Sequence, residues 1–358
     1  MRILFIVGRE IEYPRNDVLL RAFQRFGNVD VIGVQKRPSS LLFNSIILTL
    51  RAIPKLLFSQ YDLVFVGFYG HIIMLIVGWL SRAPVIFDAF LSTYDTLCFD
   101  RNVFQSTSII GRAAFWLDKK TCQMAQQVLL DTPEHVQFFV DTFELSENKF
   151  ASIPVGCDED IFHPLLNQPD ERFWVLFYTT YLPLHGVDIV IEAASQLVAY
   201  KSIRFRIIGN GMEYPRIQQI VNGRALSNIE LQPSVPLHKL PGEIAAVDVC
   251  LGGHFAESGK ATRVIPGKIY QILAMGCPLI AADTPANRSI LTHMESAMLC
   301  QSGNPGSLAK VILQLNQNDT LRRNLGKNGR ALYEKCCSEE LITRKLQNIV
   351  VNICEGNL

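Results

Sequence analysis

Between Lys260 and Asp283 the chain reads K-A-T-R-V-I-P-G-K-I-Y-Q-I-L-A-M-G-C-P-L-I-A-A-D. Lys260, Arg263 and Lys268 put three positive charges within nine residues, at the entrance of a helical pattern that starts near Gly267 and stops at Gly276. Backbone N–H groups at a helix entrance have no intrahelical partner, so cations beside one suit a phosphate-bearing ligand. Arg263 and Lys268 can hold a diphosphate while charge builds on it as the bond to the leaving group breaks. Ile269 and Gln271 follow in the first turns, and Gln271 is spaced to bond ribose hydroxyls beside Lys268.

Other chemistry-bearing residues fall where strands give way to loops. Gly8-Arg9 follows an apolar strand, and Tyr13-Pro14-Arg15-Asn16 precedes a helix. A glycine there admits a ligand to the backbone, and either arginine can pair with phosphate, although the loop is not G-x-G-x-x-G. His71, after Gly70, can donate to a sugar hydroxyl or can simply start the next helix. Asp88, Ser92, Asp95, Asp100 and Arg101 crowd one segment, where carboxylates can grip hydroxyls or cap helices; their spacing is unlike a calcium loop. His185-Gly186, Gly209-Asn210-Gly211 and His254 close the set, each either a turn or a place where backbone amides converge on an anion.

These loops need a scaffold, and the chain supplies short apolar runs alternating with helical patterns. In the first half the runs are Ile3–Val7, Asp30–Val34, Tyr61–Gly67, Pro84–Phe87, Gln127–Leu130 and Phe150–Ile153. The same alternation restarts at Phe173–Tyr178. Such alternation predicts an α/β fold with parallel sheets covered by helices on both faces. A Pro-rich, acidic stretch near Val155–Gln168 divides two comparable α/β halves, which would leave a cleft between them. The expected domains are residues 1–160, residues 161–335, and a final helix over 336–358 that packs back on the first domain.

With 358 residues, 49% hydrophobic and 19% charged, the chain is a well-buried globular protein. A net charge of +1 gives no support for nucleic acid as a partner. Residues 1–60 carry nine basic against four acidic side chains, whereas residues 61–165 carry six against thirteen. Leu63–Ser81 lacks any charged residue and approaches bilayer-spanning length, but Gly67-Phe68-Tyr69-Gly70 breaks it into a strand and a helix. Leu41–Phe58, with Arg51 and Lys55 and the adjacent Lys36-Arg37, reads either as a core-facing helix or as an interfacial one. Residues 36–58 are therefore a candidate contact with an anionic membrane surface. The nine cysteines show no metal-ligand spacing and fit buried, reduced thiols, which suits a cytoplasmic protein, peripheral at the inner face of the cell membrane if that contact exists.

The ordered set of motifs resembles the bacterial retaining glycosyltransferases of family 4, or group 1. It is similar above all to a subgroup with K-A-x-R-V-I-P-x-K followed by A-M-G-x-P-x-I, here Lys260 to Lys268 and Ala274 to Ile280. Pro183-Leu184-His185-Gly186, Tyr13–Asn16, Gly70-His71, Phe87-Asp88-Ala89, Asp95-Thr96, Asp100-Arg101 and Asp131-Thr132 extend the resemblance over nearly the whole chain. The resemblance implies two Rossmann-like domains facing across a cleft, the fold called GT-B, with acceptor mainly on the first domain and a nucleoside-diphosphate sugar mainly on the second. It places Gly8 and Arg9 near the donor phosphates and His71 near the transferred sugar. His185, Gly186, Gly209, Asn210, Gly211, Lys260, Arg263, Lys268, Ile269 and Gln271 would bind the donor. His71, Arg263 and Lys268 would serve catalysis.

The implied activity is transfer of the sugar to a hydroxyl with retention, in the synthesis of a cell-surface polysaccharide or glycolipid. The acceptor would be a saccharide or a lipid-linked saccharide, and neither a metal nor a separate cofactor is required. Broad family members carry two glutamates eight residues apart where this chain has Arg263 and Gln271. That departure leaves open a non-catalytic saccharide-binding or scaffold role, and the shared architecture leaves open a sugar-nucleotide epimerase or hydrolase.

Overall fold

The computed structural model describes residues 1–36, 40–166 and 170–356. Arg37 of the cationic segment and residues 167 and 168 of the expected boundary lie outside the described residues. The chain divides into two compact units: Met1–Asp158 with Glu339–Leu358, and Glu159–Ser338.

Unit 1 contains β1 (Arg2–Glu10), β2 (Asn28–Val34), β3 (Leu63–Val66), β4 (Val85–Asp88), β5 (Gln127–Leu130) and β6 (Phe150–Ser152). They form one sheet in the order β2-β1-β3-β4-β5-β6, with every pairing parallel. All residues of β3, β4 and β5 are buried, as expected of strands covered on both faces. The helices are α1 (Pro14–Gln24), α2 (Leu41–Phe58), α3 (His71–Leu80), the single turn α4 (Thr93–Asp95), α5 (Ile109–Met124) and α6 (Pro133–Phe143). Side-chain oxygens of Ser40, Ser108 and Thr132 accept from the third residue onward at the starts of α2, α5 and α6, satisfying one free N–H each. One sheet face packs on α1 and on the helix Glu339–Cys354, whose Ile342, Leu346 and Val350 join Leu19 and Phe23 in the core. The other face carries α2, α3, α5 and α6 through residues such as Leu48, Met74, Cys122 and Phe139.

Unit 2 contains β7 (Phe173–Tyr178), β8 (Ile203–Ile208), β9 (Ile229–Gln232), β10 (Val249–Leu251), β11 (Leu279–Ala282) and β12 (Met298–Cys300). Its sheet is also parallel, in the order β12-β11-β10-β7-β8-β9. Around it lie α7 (Val187–Gln196), α8 (Tyr214–Gly223), α9 (Leu240–Ala245), α10 (Gly267–Met275), α11 (Pro285–Arg288), α12 (Pro305–Asn316) and α13 (Asp319–Cys336). In each unit the first strand lies between two strands to which the chain travels in opposite directions. Loops leaving the carboxyl ends of such neighbours diverge and open a crevice, the usual ligand position in doubly wound sheets. In unit 1 those neighbours are β1 and β3; in unit 2 they are β7 and β10.

Two local differences from the sequence expectation follow from hydrogen bonding. Strand β1 does not end at Val7 but runs to Glu10 through a register shift after Ile6, so Gly8 and Arg9 are strand residues. Its extension is held by Gly8 N–H donating to Phe68 O and Ile11 N–H to Val34 O. Strand β12 and the π-helical turn Thr96–Asp100 are additional elements, each too short for a periodic pattern to reveal.

Unit 1 is pinned at its centre by a buried ion pair. Arg15, in the first turn of α1, donates to Asp88 at the end of β4 at 2.8 Å, and neither side chain is exposed. The guanidinium also donates to the carbonyl of Pro154 at 3.0 Å and to that of Ile153 at 2.5 Å, tying α1 to two separate chain segments. Burial pushes the Asp88 carboxyl above its usual range, opposed by the Arg15 charge. Removing the cation strands a buried carboxylate and two carbonyls. Arg15→Met should therefore cost about 3–5 kcal/mol of unfolding free energy in a urea titration at neutral pH. An unchanged midpoint would show that the pair does not pin the unit.

Candidate donor site

The crevice at β7 and β10 gathers most of the predicted donor residues. Lys268, in the first turn of α10, extends its side chain to the end of β7 and donates from Nζ to the Tyr178 carbonyl at 2.7 Å. The ammonium lies 4.5 Å from the Phe177 ring centre, and a Cβ added at Gly253 would come within 3.2 Å of it. Burial lowers the Lys268 pKa to about 7. The one hydroxyl of Tyr178 donates to Gln271 Oε1 at 3.0 Å and approaches the Lys268 carbonyl at 3.3 Å. Gln271 is therefore not open on the helix surface: it is buried, with its amide oxygen already engaged. Ile269 is fully buried beneath this turn, packed toward Gly252.

Two histidines stack beside the lysine. His185 and His254 have ring centres 5.6 Å apart at an interplanar angle of 11°. His185 Nδ1 is 2.6 Å from the hydroxyl of Thr179. Burial, with the Lys268 charge second, lowers the His185 pKa to about 3, so this imidazole is uncharged at neutral pH. Burial likewise holds His254 below its usual value, followed by the charges of His185, Lys268 and Lys260. His254 Nδ1 is buried without a hydrogen-bond partner, and the residue has a φ of 50°, a strained conformation for a histidine. Gly252-Gly253 precede it and mark in sequence the tight turn, whereas nothing there signals the His–His stack. In sequence Tyr178 is simply the last residue of a strand, and its two contacts arise from the fold.

Lys260 and Arg263 occupy the turn before α10, where Arg263 N–H donates to Lys260 O at 3.0 Å. A Cβ on Gly259 would lie 3.1 Å from Arg263 Nη1, so this guanidinium folds back over its own loop. Gly186 starts α7 at a φ of 67°. Gly209 and Gly211 follow β8, and at Gly209 only glycine fits: its φ is 145° and a Cβ would meet the Thr179 carbonyl at 1.8 Å. These glycines seat the β8 loop against the β7 loop. Asn210 projects outward and donates to Ser234 Oγ at 3.2 Å.

The remaining candidates lie in unit 1. Gly8 is glycine because a Cβ would collide with the Tyr69 carbonyl at 2.2 Å. Its N–H goes to Phe68 O, and its carbonyl accepts from Asn44 Nδ2 at 2.9 Å, so its polar groups are committed within the unit. Arg9 pairs with Glu10 at 3.0 Å and lies 4.4 Å from the Tyr13 ring centre. His71 is the first residue of α3, buried, with Nε2 3.4 Å from Asp118 Oδ1. Asp118 Oδ2 accepts from Ser92 Oγ at 2.7 Å and Tyr94 N–H at 2.9 Å. Burial lowers the His71 pKa against the opposing charges of Asp118 and Asp88. Asp118 was invisible as a site residue because it sits mid-helix in α5, where an isolated acid ordinarily faces solvent. Asp88 and Asp131 also have structural tasks, the latter 2.7 Å from His135 Nδ1.

The lysine supplies a pH test. Free Lys268 is near half-protonation at neutral pH, while a bound diphosphate favours its charged form. Binding of a nucleoside diphosphate should thus take up close to one proton at about pH 8, and affinity should fall as pH rises beyond about 7. Calorimetry in buffers of different ionisation enthalpy measures the uptake. Lys268→Met should abolish it, and equal uptake by that variant would exclude Lys268 as the titrating group.

Residues 172–318 match the protein family described as glycosyl transferases group 1. An uncharacterized glycosyltransferase of Methanocaldococcus jannaschii is 27% identical over 196 residues, which span 55% of this chain and 52% of that protein. The chain thus matches about half the length of this relative. Sucrose-phosphate synthase from Thermosynechococcus elongatus has the same fold, with a TM-score of 0.76 at 15% identity over 99% of this chain and 100% of that one. HepE of Anabaena, solved with UDP and glucose, gives a TM-score of 0.72 at 14% identity over 98% of this chain and 100% of that one. Residues 172–318 are thus similar to the group 1 glycosyl transferases, and the two six-stranded parallel units take the fold of these solved structures.

Proposed function

We propose that this protein is a glycosyltransferase that moves a sugar from a nucleoside diphosphate to a hydroxyl acceptor with retention at the anomeric carbon. The observation that carries the reading is the half-buried Lys268, held at the end of β7 by one carbonyl and paired with no carboxylate among the described residues. A diphosphate arriving there restores the lysine's charge and is stabilised by it as leaving-group charge develops. Arg263 and Lys260 add positive charge from the turn before α10, whose first N–H groups point the same way along the helix axis.

Gln271 and Tyr178 present a neutral edge for the nucleoside ribose, and Gly186 and the Gly209–Gly211 turn shape the backbone around the donor. His71, kept neutral by burial, is the group proposed to orient the transferred sugar, with Arg9 serving the phosphates. Retention follows from front-face attack, in which a donor phosphate oxygen takes the acceptor proton. The UDP and glucose held by HepE support a nucleotide-sugar donor of this kind. The acceptor belongs to a growing cell-surface saccharide or a lipid-linked saccharide, encountered at the cytoplasmic side.

A panel of nucleoside-diphosphate sugars with lipid-linked and soluble saccharide acceptors, read by mass detection of products, tests the assignment. Lys268→Ala should lower transfer by about a hundredfold or more while leaving the thermal melt unchanged. Wild-type rates in that variant would remove Lys268 from the mechanism. Donor turnover that needs no acceptor would replace transfer by hydrolysis or epimerisation, and donor binding without turnover would leave a binding protein.

A further inference from the structure

Helices α2, α3 and α5 lie side by side on one face of the unit 1 sheet, and their outward sides are unusually apolar for surface helices. α2 has 18 residues with a mean hydropathy of 1.6, long and apolar enough to cross a membrane, yet only a third of it is buried. Its inward side is anchored by the fully buried Leu48 and Ala52 and by the Asn44 bond to Gly8. Its outward side presents Phe43, Ile46, Leu50, Leu57 and Phe58, with Phe43 64% and Leu50 62% exposed. On α3, Trp79 is 80% exposed; on α5, Ile109 is 87% and Trp116 56% exposed. Single exposed apolar residues are ordinary, but large exposed apolar side chains recurring on three neighbouring helices mark a contact surface.

Charge selects the occupant. Residues 31–61 contain no acidic side chain, and α3 contains no charged one. Across α2, α3 and α5 the basic residues are Arg51, Lys55, Arg112, Lys119 and Lys120, while the one acidic residue, Asp118, is fully buried. Packing this face on a second copy would bring like charges together over apolar surface. An anionic bilayer instead accepts both components: acyl chains take the apolar ridge, headgroups take the cations, and indoles settle at the boundary between them.

We propose that the outward face of α2, α3 and α5 docks unit 1 onto an anionic lipid surface, with α2 lying in the interface rather than crossing it. Leaving the sheet to span the bilayer would expose the core positions of Leu48 and Ala52, so the helix stays seated. All three helices begin at the carboxyl-end side of the sheet, where the loops carrying His71 and Asp88 also emerge. The docked face therefore sets those loops beside the headgroups, where a lipid-linked hydroxyl is presented. The docking itself does not depend on the transfer reading.

The full chain, without donor or acceptor, is mixed with vesicles of phosphatidylcholine alone or of an equal mixture with phosphatidylglycerol. Sedimentation should carry it down with the anionic vesicles only, with release by high salt. Brominated acyl chains should quench Trp79 and Trp116, while Trp174, which is buried in unit 2, keeps its emission in the W79F/W116F protein. Phe43→Ser with Leu50→Ser, and separately Arg51→Glu with Arg112→Glu, should each weaken partitioning at least about tenfold. Both should retain the wild-type melt and transfer to a soluble acceptor. No binding at low salt, or equal binding by both variants, would overturn the proposal. So would a lipid-free dimer that dissociates when Phe43 and Leu50 are replaced, since a second copy would then be the occupant.

Discussion

The candidate site turns on one constraint: an ammonium group held at the end of β7 with a carbonyl in place of a counterion. The bond from Lys268 to the Tyr178 carbonyl satisfies one donor, and the Phe177 ring face adds a weak attraction. Neither compensates fully for water lost around a charge, which is why burial takes the pKa to about 7. The site therefore has an electrostatic deficit that an anion corrects. The neighbouring histidines keep that deficit from growing, because both are neutral and add no competing positive charge near Lys268.

Unit 1 resolves the opposite problem. Three of its acids are buried, and each has a partner: Asp88 with Arg15, Asp131 with His135, Asp118 with Ser92, Tyr94 and His71. These contacts connect β4, β5, α1, α3 and α5 at the edge where loops emerge, so the backbone there is set by polar bonds as well as by packing. A buried pair contributes less to net stability than its Coulomb attraction suggests, because both ions lose hydration. What it fixes is position. His71 starts α3 between Asp118 and the Phe87 ring, 5.0 Å away, and has little freedom to turn.

The alternation of buried strands with helices was legible because periods of two and 3.6 differ over even short windows, and strands buried on both faces read as unbroken apolar runs such as Leu63–Val66. Legible too were the positions of Gly209 and His185 in loops that follow strands and of Lys268 at a helix entrance, since glycine and a basic residue stand out beside an apolar run. What stayed hidden depends on juxtaposition across long separations in sequence. Tyr178 meets Gln271 across 93 residues, and His185 stacks on His254. Gly8 looked like a ligand-facing glycine, but its missing Cβ is explained by the Tyr69 carbonyl pressed against it. The outward apolar side of α2 was ambiguous in sequence for the same reason: one stripe faces core and another faces solvent, and both are apolar.

The replacement of acids by Arg263 and Gln271 fits the state of the lysine. A glutamate at position 271 would lie three residues beyond Lys268 on α10, within reach of a lysine on the same helix surface. It would supply a permanent counterion, hold the ammonium fully charged and weaken its need for a phosphate. Glutamine keeps the oxygen that accepts from Tyr178 and omits the charge. Arg263 then adds a cation to the loop, while Lys268 provides the charge that appears with the ligand. On this physical argument the two departures from the acidic pattern form a matched set: one removes a competitor for the lysine, and the other adds a cation where a leaving diphosphate gathers charge.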